Sequence, residues 1–319
     1  MRILALVPGG ISNQLLFFPT LEDLKIQYPK ATIDVIVEPR AKPAYRVCPY
    51  IHEVLMFDYK DRNGLADYLN LLGIIRDREY DVAVTLDPRW TLGLLLWLNG
   101  IPLCVAYQTQ PGWFISNPVV LKTEQYTAYQ YHDLLQGLDV HSPCPSLKIS
   151  LPKADIDWAE GEQKRLDLPG GYVLISGGVG ELPESKTAKN SYPISQWGKI
   201  IENIQQKQPN LPIVLLQGSD GSEWIKPLKE SYPTLKVTKP NDMGKLAAMI
   251  AGANLIISPD SIPVQLAVAV GTYTVGLFGP TQATKLLPPA QDRYIGLQSQ
   301  TDSIADISPE TIIEQIWRS

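Results

Sequence analysis

Cysteine and histidine are scarce in this chain, three of each in 319 residues, and the scarcity removes several chemistries at once. Cys48, Cys104 and Cys144 are scattered, with no metal-ligand spacing and no disulfide framework, the usage of a reducing compartment. His52, His132 and His141 stand isolated, with no acid or serine at a recognisable spacing, so no His–carboxylate–nucleophile triad can be assembled from sequence. HExxH, paired CxxC and the P-loop GxxxxGK(S/T) are all missing, and no metal site or bound cofactor is expected. Clustered basic charge is lacking too. The net charge is −5 and the pI about 5.3, which excludes a nucleic-acid surface. The basic segment Lys226–Lys229 is interrupted and reads as a solvated helix face. Long apolar runs are also absent. Leu92–Leu98 falls far short of the ~20 residues of a membrane-spanning helix. The opening MRILALVPGG ends in Pro-Gly-Gly after one strand's length, unlike a signal peptide. A cytoplasmic protein is expected, with peripheral membrane association or a protein partner left open.

What is present is an ordinary globular composition, 45% hydrophobic and 19% charged, in a chain longer than one compact core usually takes. Short apolar runs alternate with helix-period segments throughout, the pattern of parallel sheets covered by helices. In the first half the runs are Ile3–Val7, Thr32–Val37, Glu53–Phe57, Val82–Thr85 and Leu103–Ala106, with helical spacing over Leu15–Tyr28 and Leu65–Ile75. Residues 108–152 break the rhythm around one helix near Tyr131–Leu138. The alternation restarts with strands Tyr172–Ser176, Ile213–Gln217, Leu235–Val237, Leu255–Ser258 and Thr274–Phe278. Helices are expected near Ile194–Gln206, Ser222–Glu230, Met243–Ala251 and Pro263–Val270. A final helix, Pro309–Trp317, is expected to fold back on the first half. The fold class is therefore α/β, two Rossmann-like doubly wound domains, 1–150 and 151–319, facing a central cleft.

Ligands of such sheets sit at the carboxyl ends of strands, so the loops there carry the candidate chemistry. Pro8-Gly9-Gly10-Ile11-Ser12-Asn13 reads either as a phosphate or acceptor loop at a helix N-terminus or as an ordinary strand-to-helix turn, with Ser12 or Asn13 as cap. Ser176-Gly177-Gly178-Val179-Gly180 permits close backbone approach, and Lys186 or Lys189 beyond it could neutralise a diphosphate. In Gln217-Gly218-Ser219-Asp220-Gly221-Ser222-Glu223, Asp220 or Glu223 suits ribose hydroxyls or, equally, a helix start. Ser258-Pro259-Asp260-Ser261-Ile262-Pro263-Val264-Gln265 is followed by a second strand ending in Gly279-Pro280-Thr281. That places two small-residue loops on one edge, with a helix cap as the plain reading of Asp260.

These segments resemble a known family. ILALVPGGISNQLLFFPTLEDLKIQYPKATIDVIV looks like the opening of family 9 glycosyltransferases, the ADP-heptose:lipopolysaccharide heptosyltransferases. YDVAVTLDPRWTLGLLLWLNG looks like their fourth strand and helix. SPDSIPVQLAVAVGTYTVGLFGPT is similar to the family motif DSGPMHLAAALGTPVVALFGPT. The resemblance runs through the chain in order. It implies a GT-B fold, an ADP-sugar donor in the C-terminal domain, a glycan or lipopolysaccharide-type acceptor in the N-terminal domain, and metal-independent transfer. The resemblance also implies a loop aspartate as base and a lysine on the diphosphate. Here the aspartate position is Asn13, beside Ser12, and an amide does not take a proton at neutral pH. In the C-terminal motif Ile262 replaces glycine and Gln265 replaces histidine. The Lys-x-Trp-Pro segment reads Asn190-Ser191-Tyr192-Pro193, with Lys189 displaced by one. Asp260, Ser261, Gly279, Pro280 and Thr281 match the donor motif.

Two functions are compatible with these residues. One is a sugar transferase using a nucleotide-sugar donor, with Asp87 at the end of the fourth strand as substitute base. The other is a scaffold or binding subunit that keeps the fold without the base, a loss worth about 10²–10⁴ in rate.

Overall fold

The computed structural model describes residues 1–59, 64–87, 89–108, 114–178, 191–218, 223–289 and 292–318. Lys186, Lys189 and Asp220 lie outside them. The chain divides into two compact units, Met1–Ile149 and Ser150–Ser319.

The first unit runs β1 (Arg2–Val7), α1 (Ile11–Gln27), β2 (Thr32–Val37), β3 (Glu53–Met56), α2 (Leu65–Arg76), β4 (Val82–Thr85), α3 (Trp90–Leu98), β5 (Leu103–Tyr107), β6 (Asn117–Val119) and α4 (Thr127–Asp133). Its sheet is parallel, in the order β3-β2-β1-β4-β5-β6. The central strands are apolar on both faces: Ile3 to Val7 are all fully buried, as a strand covered by helices on both sides must be. The second unit follows the same scheme. It contains α5 (Lys153–Arg165), β7 (Val173–Ser176), α6 (Ile194–Lys207), β8 (Ile213–Leu216), α7 (Ile225–Ser231), β9 (Lys236–Thr238), α8 (Met243–Ala251), β10 (Leu255–Pro259), α9 (Ile262–Val270), β11 (Tyr273–Phe278), α10 (Ala283–Leu286), β12 (Tyr294–Gln298) and α11 (Pro309–Ile316). Its order is β12-β11-β10-β7-β8-β9. Strand order reverses direction between β1 and β4 in one sheet and between β7 and β10 in the other. At such a switch point adjacent loops part and leave a crevice.

Several expectations are corrected. Helix α1 starts at Ile11 with Gly10 as its N-cap, so Ser12 and Asn13 lie inside its first turn and neither is the N-cap residue. The helix expected over Tyr131–Leu138 is α4 followed by a 3₁₀ segment, Leu134–Leu138, stopped by Asp139 at φ +60°. Edge strands β6 and β12 carry no clean apolar pattern. One is three residues with a proline, the other half-exposed with a central glycine. The last helix packs within the second unit. Ile312, Ile313, Ile316 and Trp317 join the cluster that holds Trp197, Ile200, Ile201 and Ile204 of α6. Trp317 Nε1 donates to Asn203 Oδ1 at 2.8 Å, and the Lys207 ammonium lies 4.9 Å from its ring centre. The apolar i, i+3, i+4, i+7 stripe of α6 offered a nearby partner within the same domain.

Candidate functional site

The first switch point is built by the loop after β1. Gly9 sits at φ +100°, and a Cβ there would lie 2.9 Å from Asn13 Cγ, so only glycine allows the loop to fold under the Asn13 amide. The loop is held from below: Gln14 Nε2 donates to Val7 O at 3.0 Å, and Tyr45 Oη donates to Gln14 Oε1 at 2.7 Å. From the side, Gly9 N donates to Glu38 Oε1 at 3.1 Å, while Arg40 Nε donates to Glu38 Oε2 at 2.7 Å. Asn13 Nδ2 donates to the Tyr131 hydroxyl at 3.1 Å. Burial pushes the Tyr131 phenol up, partly offset by the Asn13 hydrogen bond, so the pair is neutral near pH 7 and contains no base.

Across the switch point, Thr85 Oγ1 accepts from Asp87 N at 3.1 Å and turns the chain out of β4. The buried Asp87 carboxylate faces Arg89. Oδ1 accepts from Arg89 N at 2.8 Å and Nε at 2.9 Å, and Oδ2 accepts from Nη2 at 2.5 Å. Arg89 Nη1 in turn donates to Tyr59 O at 2.8 Å. Both oxygens of Asp87 are therefore engaged, as are both oxygens of Glu38. The sequence reading missed Arg89, Glu38 and Tyr131. Arg89 stands two residues from Asp87 and was locally visible. Tyr131 is 118 residues from Asn13, and no local signal points to it.

The second switch point carries a different chemistry. Gly178 N donates to Ser176 Oγ at 3.2 Å, and Gly178, at φ +88°, lies against Pro259, whose Cβ and Cγ would be 3.5 Å from an added Cβ. Gly177 lies under the Trp224 indole, where an added Cβ would come within 2.5 Å of the ring. Gly177→Ala is expected to cost about 1–3 kcal/mol by overpacking, read as a lower Tm with an altered tryptophan emission. Asp260 N donates to Leu277 O at 2.9 Å. Burial pushes the Asp260 carboxyl above its ordinary value, and a hydrogen bond with Thr281 pulls it partly back. Ser261 is the N-cap of α9, but its hydroxyl donates to Pro259 O at 2.9 Å and meets Ser258 Oγ at 3.0 Å. Asp260 is thus not the cap, and no side chain caps this helix start. Gly279 fits against Asp302 O, 2.7 Å from where a Cβ would stand. Gln298 Nε2 donates to Gly279 O at 2.8 Å, which steadies the Gly279-Pro280-Thr281 loop; Pro280 and Thr281 are exposed.

The two remaining loops divide. Gly218 is half-buried and Glu223 exposed after β8, and their neighbour Trp224 links that edge to Gly177. Gln265 is 1% exposed, donates through Nε2 to Leu286 O at 3.0 Å and so ties α9 to α10; among the described residues its Oε1 has no partner. The structure thus brings Gly177, Gly178, Asp260, Ser261 and Thr281 onto one edge, while the Gln265 amide nitrogen is engaged with α10.

Among the described residues one group, Asp34, His52 and Glu53, gathers possible metal ligands. It does not fit a cation. Asp34 accepts from Arg2 Nη2 at 3.0 Å, and Glu53 pairs with Arg78 at 3.1 Å. Guanidinium charge already balances both carboxylates, on the sheet edge opposite the switch-point loops.

The chain also resembles known proteins. The model of "Glycosyltransferase family 9 (heptosyltransferase)" matches residues 69–316. Lipopolysaccharide heptosyltransferase 3 of Escherichia coli is 23% identical over 282 residues, 84% of this chain and 81% of that protein. The photosynthetic NDH subunit of subcomplex B 1 of Arabidopsis thaliana is 22% identical over 340 residues, 98% of this chain and 72% of that protein. Among solved structures, a family 9 glycosyl transferase from Veillonella parvula superposes with a TM-score of 0.84 at 20% identity, covering 99% of this chain and 96% of that one. Its fold is therefore the GT-B fold of these enzymes, and with a family match over most of its length this chain belongs to glycosyltransferase family 9, the heptosyltransferases.

Proposed function

We propose that the chain transfers a sugar, heptose-like, from a nucleotide-sugar donor to a glycan or lipopolysaccharide-type acceptor, with the donor on the second unit and the acceptor on the first. The observation that carries this reading is the second switch point, where Asp260 and Thr281 meet beside Gly177, Gly178 and the start of α9. Helix α9 directs its positive end to this edge, which offsets charge on a leaving diphosphate without a metal. An ADP-sugar is the donor implied by family membership, with Gly218 and Glu223 on the ribose side and Gly279, Pro280 and Thr281 on the other. In the transfer the bond from the anomeric carbon to the diphosphate oxygen breaks, the acceptor oxygen bonds to that carbon, and the acceptor proton needs a base. Asn13 does not serve as one. Asp87 is the substitute base, a weak one while Arg89 holds both of its oxygens.

Titration with ADP, UDP and GDP and with their sugar conjugates tests the donor assignment. Asp260→Ala is expected to weaken ADP binding by roughly 10–100-fold, the worth of a hydrogen bond to a charged group. Asp260→Asn, of the same shape, controls for folding. Unchanged affinity in both removes the nucleotide from this edge.

A second reading, a non-catalytic assembly or binding subunit, is favoured by one specific observation. The base position holds an amide bonded to a neutral tyrosine, and the nearby carboxylates Asp87 and Glu38 are ion-paired. The resemblance to an NDH subunit over nearly the whole chain supports it as well. Nucleotide binding without turnover of any donor in the panel selects this reading.

A further inference from the structure

The Asn13–Tyr131 pair at the first switch point leaves one hydrogen-bond donor and one acceptor unused. Asn13 Nδ2 donates to the Tyr131 oxygen at 3.1 Å. Among the described residues nothing accepts the Tyr131 proton and nothing donates to Asn13 Oδ1. Oδ1 shares its carbon with Nδ2, so the unused donor and acceptor lie within reach of one small group. Both side chains are half-buried and both are held. The Asn13 amide presses on Gly9, where an added Cβ would stand 2.9 Å from Cγ and 3.1 Å from Nδ2 and Oδ1. The Tyr131 ring packs on the fully buried Phe17, with ring centres 6.2 Å apart. Its chain neighbour His132 donates to Asp23 at 2.8 Å, which pins α4 to α1 one residue from the phenol.

We infer that Asn13 and Tyr131 together bind one hydroxyl group of an uncharged sugar. The Tyr131 O–H donates to the sugar oxygen, and the sugar O–H donates to Asn13 Oδ1. The inference rests on the proposed reading of the first unit as the acceptor side. A hydroxyl donates once and accepts at the same oxygen, which is the complement of this pair. The match survives a turn of the amide, since Nδ2 would then donate and the Tyr131 oxygen accept. An ionised carboxylate or phosphate only accepts, so it would set a negative oxygen against the acceptor of the pair. Charge points the same way. The ionic groups of this crevice close on themselves, Glu38 with Arg40 and Asp87 with Arg89. Arg40 Nη1 has no partner among the described residues but is shut off from solvent, so it offers a ligand no charge. Solvent serves the same two bonds in the free protein, and a sugar hydroxyl that reproduces both displaces it without loss. Because both side chains are already fixed, little rotamer freedom is lost on binding. Asp23 and His132, by holding α4 on α1, act as positioning residues for Tyr131.

NMR titration of the full chain with the methyl glycosides of glucose, galactose and mannose, with glucuronate and with inorganic phosphate tests the inference. At least one methyl glycoside is expected to bind, and to bind more tightly than glucuronate or phosphate. Tyr131→Phe keeps the ring and removes only the hydroxyl. It should weaken that glycoside about 3–10-fold, the worth of one neutral hydrogen bond, with ADP affinity unchanged. Asn13→Ala should weaken it by a similar factor. The double variant should lose less than the product of the two factors, because one hydroxyl bridges both side chains. A wild type that binds none of the methyl glycosides overturns the proposal. So does glycoside binding that Tyr131→Phe and Asn13→Ala leave unchanged, and so does tighter binding of glucuronate or phosphate. The titration needs no donor, so Tyr131-dependent glycoside binding without any sugar transfer supports the site while removing the proposed activity.

Discussion

Asn13→Asp is expected to raise sugar transfer by about 10²–10⁴, the usual contribution of a general base. The substitution is nearly isosteric, and the surroundings accept a carboxylate. Tyr131 now receives a hydrogen bond from the amide at 3.1 Å; facing a carboxylate, its hydroxyl turns and donates instead. Residue 13 lies in the first turn of a 17-residue helix with no acidic residue there, where a negative charge is favoured by roughly 0.3–1 kcal/mol. Folding should therefore be unchanged or slightly improved, and the gain should appear in kcat with little change in KM. Release of nucleoside diphosphate, measured with and without acceptor over a donor panel, reads the result. Strong wild-type activity that Asn13→Ala leaves intact would overturn the role of this position and show Asp87 to be a full-strength base. Asp87→Asn then becomes the inactivating change.

Asp23→Ala should lower the stability of the first unit by about 3–5 kcal/mol, because it removes a buried carboxylate and leaves its three hydrogen-bond donors without a partner. Asp23 on α1 is 2% exposed. Its Oδ2 accepts from His132 Nε2 at 2.8 Å and from the Ser142 hydroxyl, and its Oδ1 accepts from Gln27 at 3.1 Å. These bonds fasten α4 and the segment after it to α1. For a unit of this size the fall in Tm is roughly 10 °C. Burial pushes the Asp23 carboxyl up, but hydrogen bonds from Ser142, His132 and Gln27, with the His132 charge, outweigh it and hold the group below 3.8. The folded value lies below the unfolded one, so this stability is present above about pH 4 and is lost as pH falls through the folded value. Thermal melts of wild type and Asp23→Ala should therefore converge in acid. A gap that stays constant down to pH 2 would rule out the Asp23 carboxylate as its source.

His132 shows where sequence reading stops. It stands alone in sequence, yet it meets Asp23 across 109 residues and Ser142 beside it. That constellation is a structural clamp: one carboxylate accepts from both groups, so the hydroxyl is not activated by the imidazole. The three-residue strand β6 escaped notice because Pro118 breaks its pattern, and β12 because Gly296 and half-exposed neighbours leave no alternation.

The sequence by itself determined the class of this protein. Alternating apolar runs and helical stripes require parallel sheets with crossover helices, and glycine loops at strand ends mark the sheet edge that binds ligands. The Asp260-Ser261 and Gly279-Pro280-Thr281 matches carried the family. These are local properties, written in residues a few positions apart. Tertiary structure decided the state of each candidate side chain. It occupied both oxygens of Asp87 with Arg89, bonded Asn13 to Tyr131, buried Gln265 against α10 and turned the tryptophans of α3 to solvent. The availability of a carboxylate and the burial of an indole depend on neighbours brought together by packing. Side-chain type and spacing alone do not contain that information.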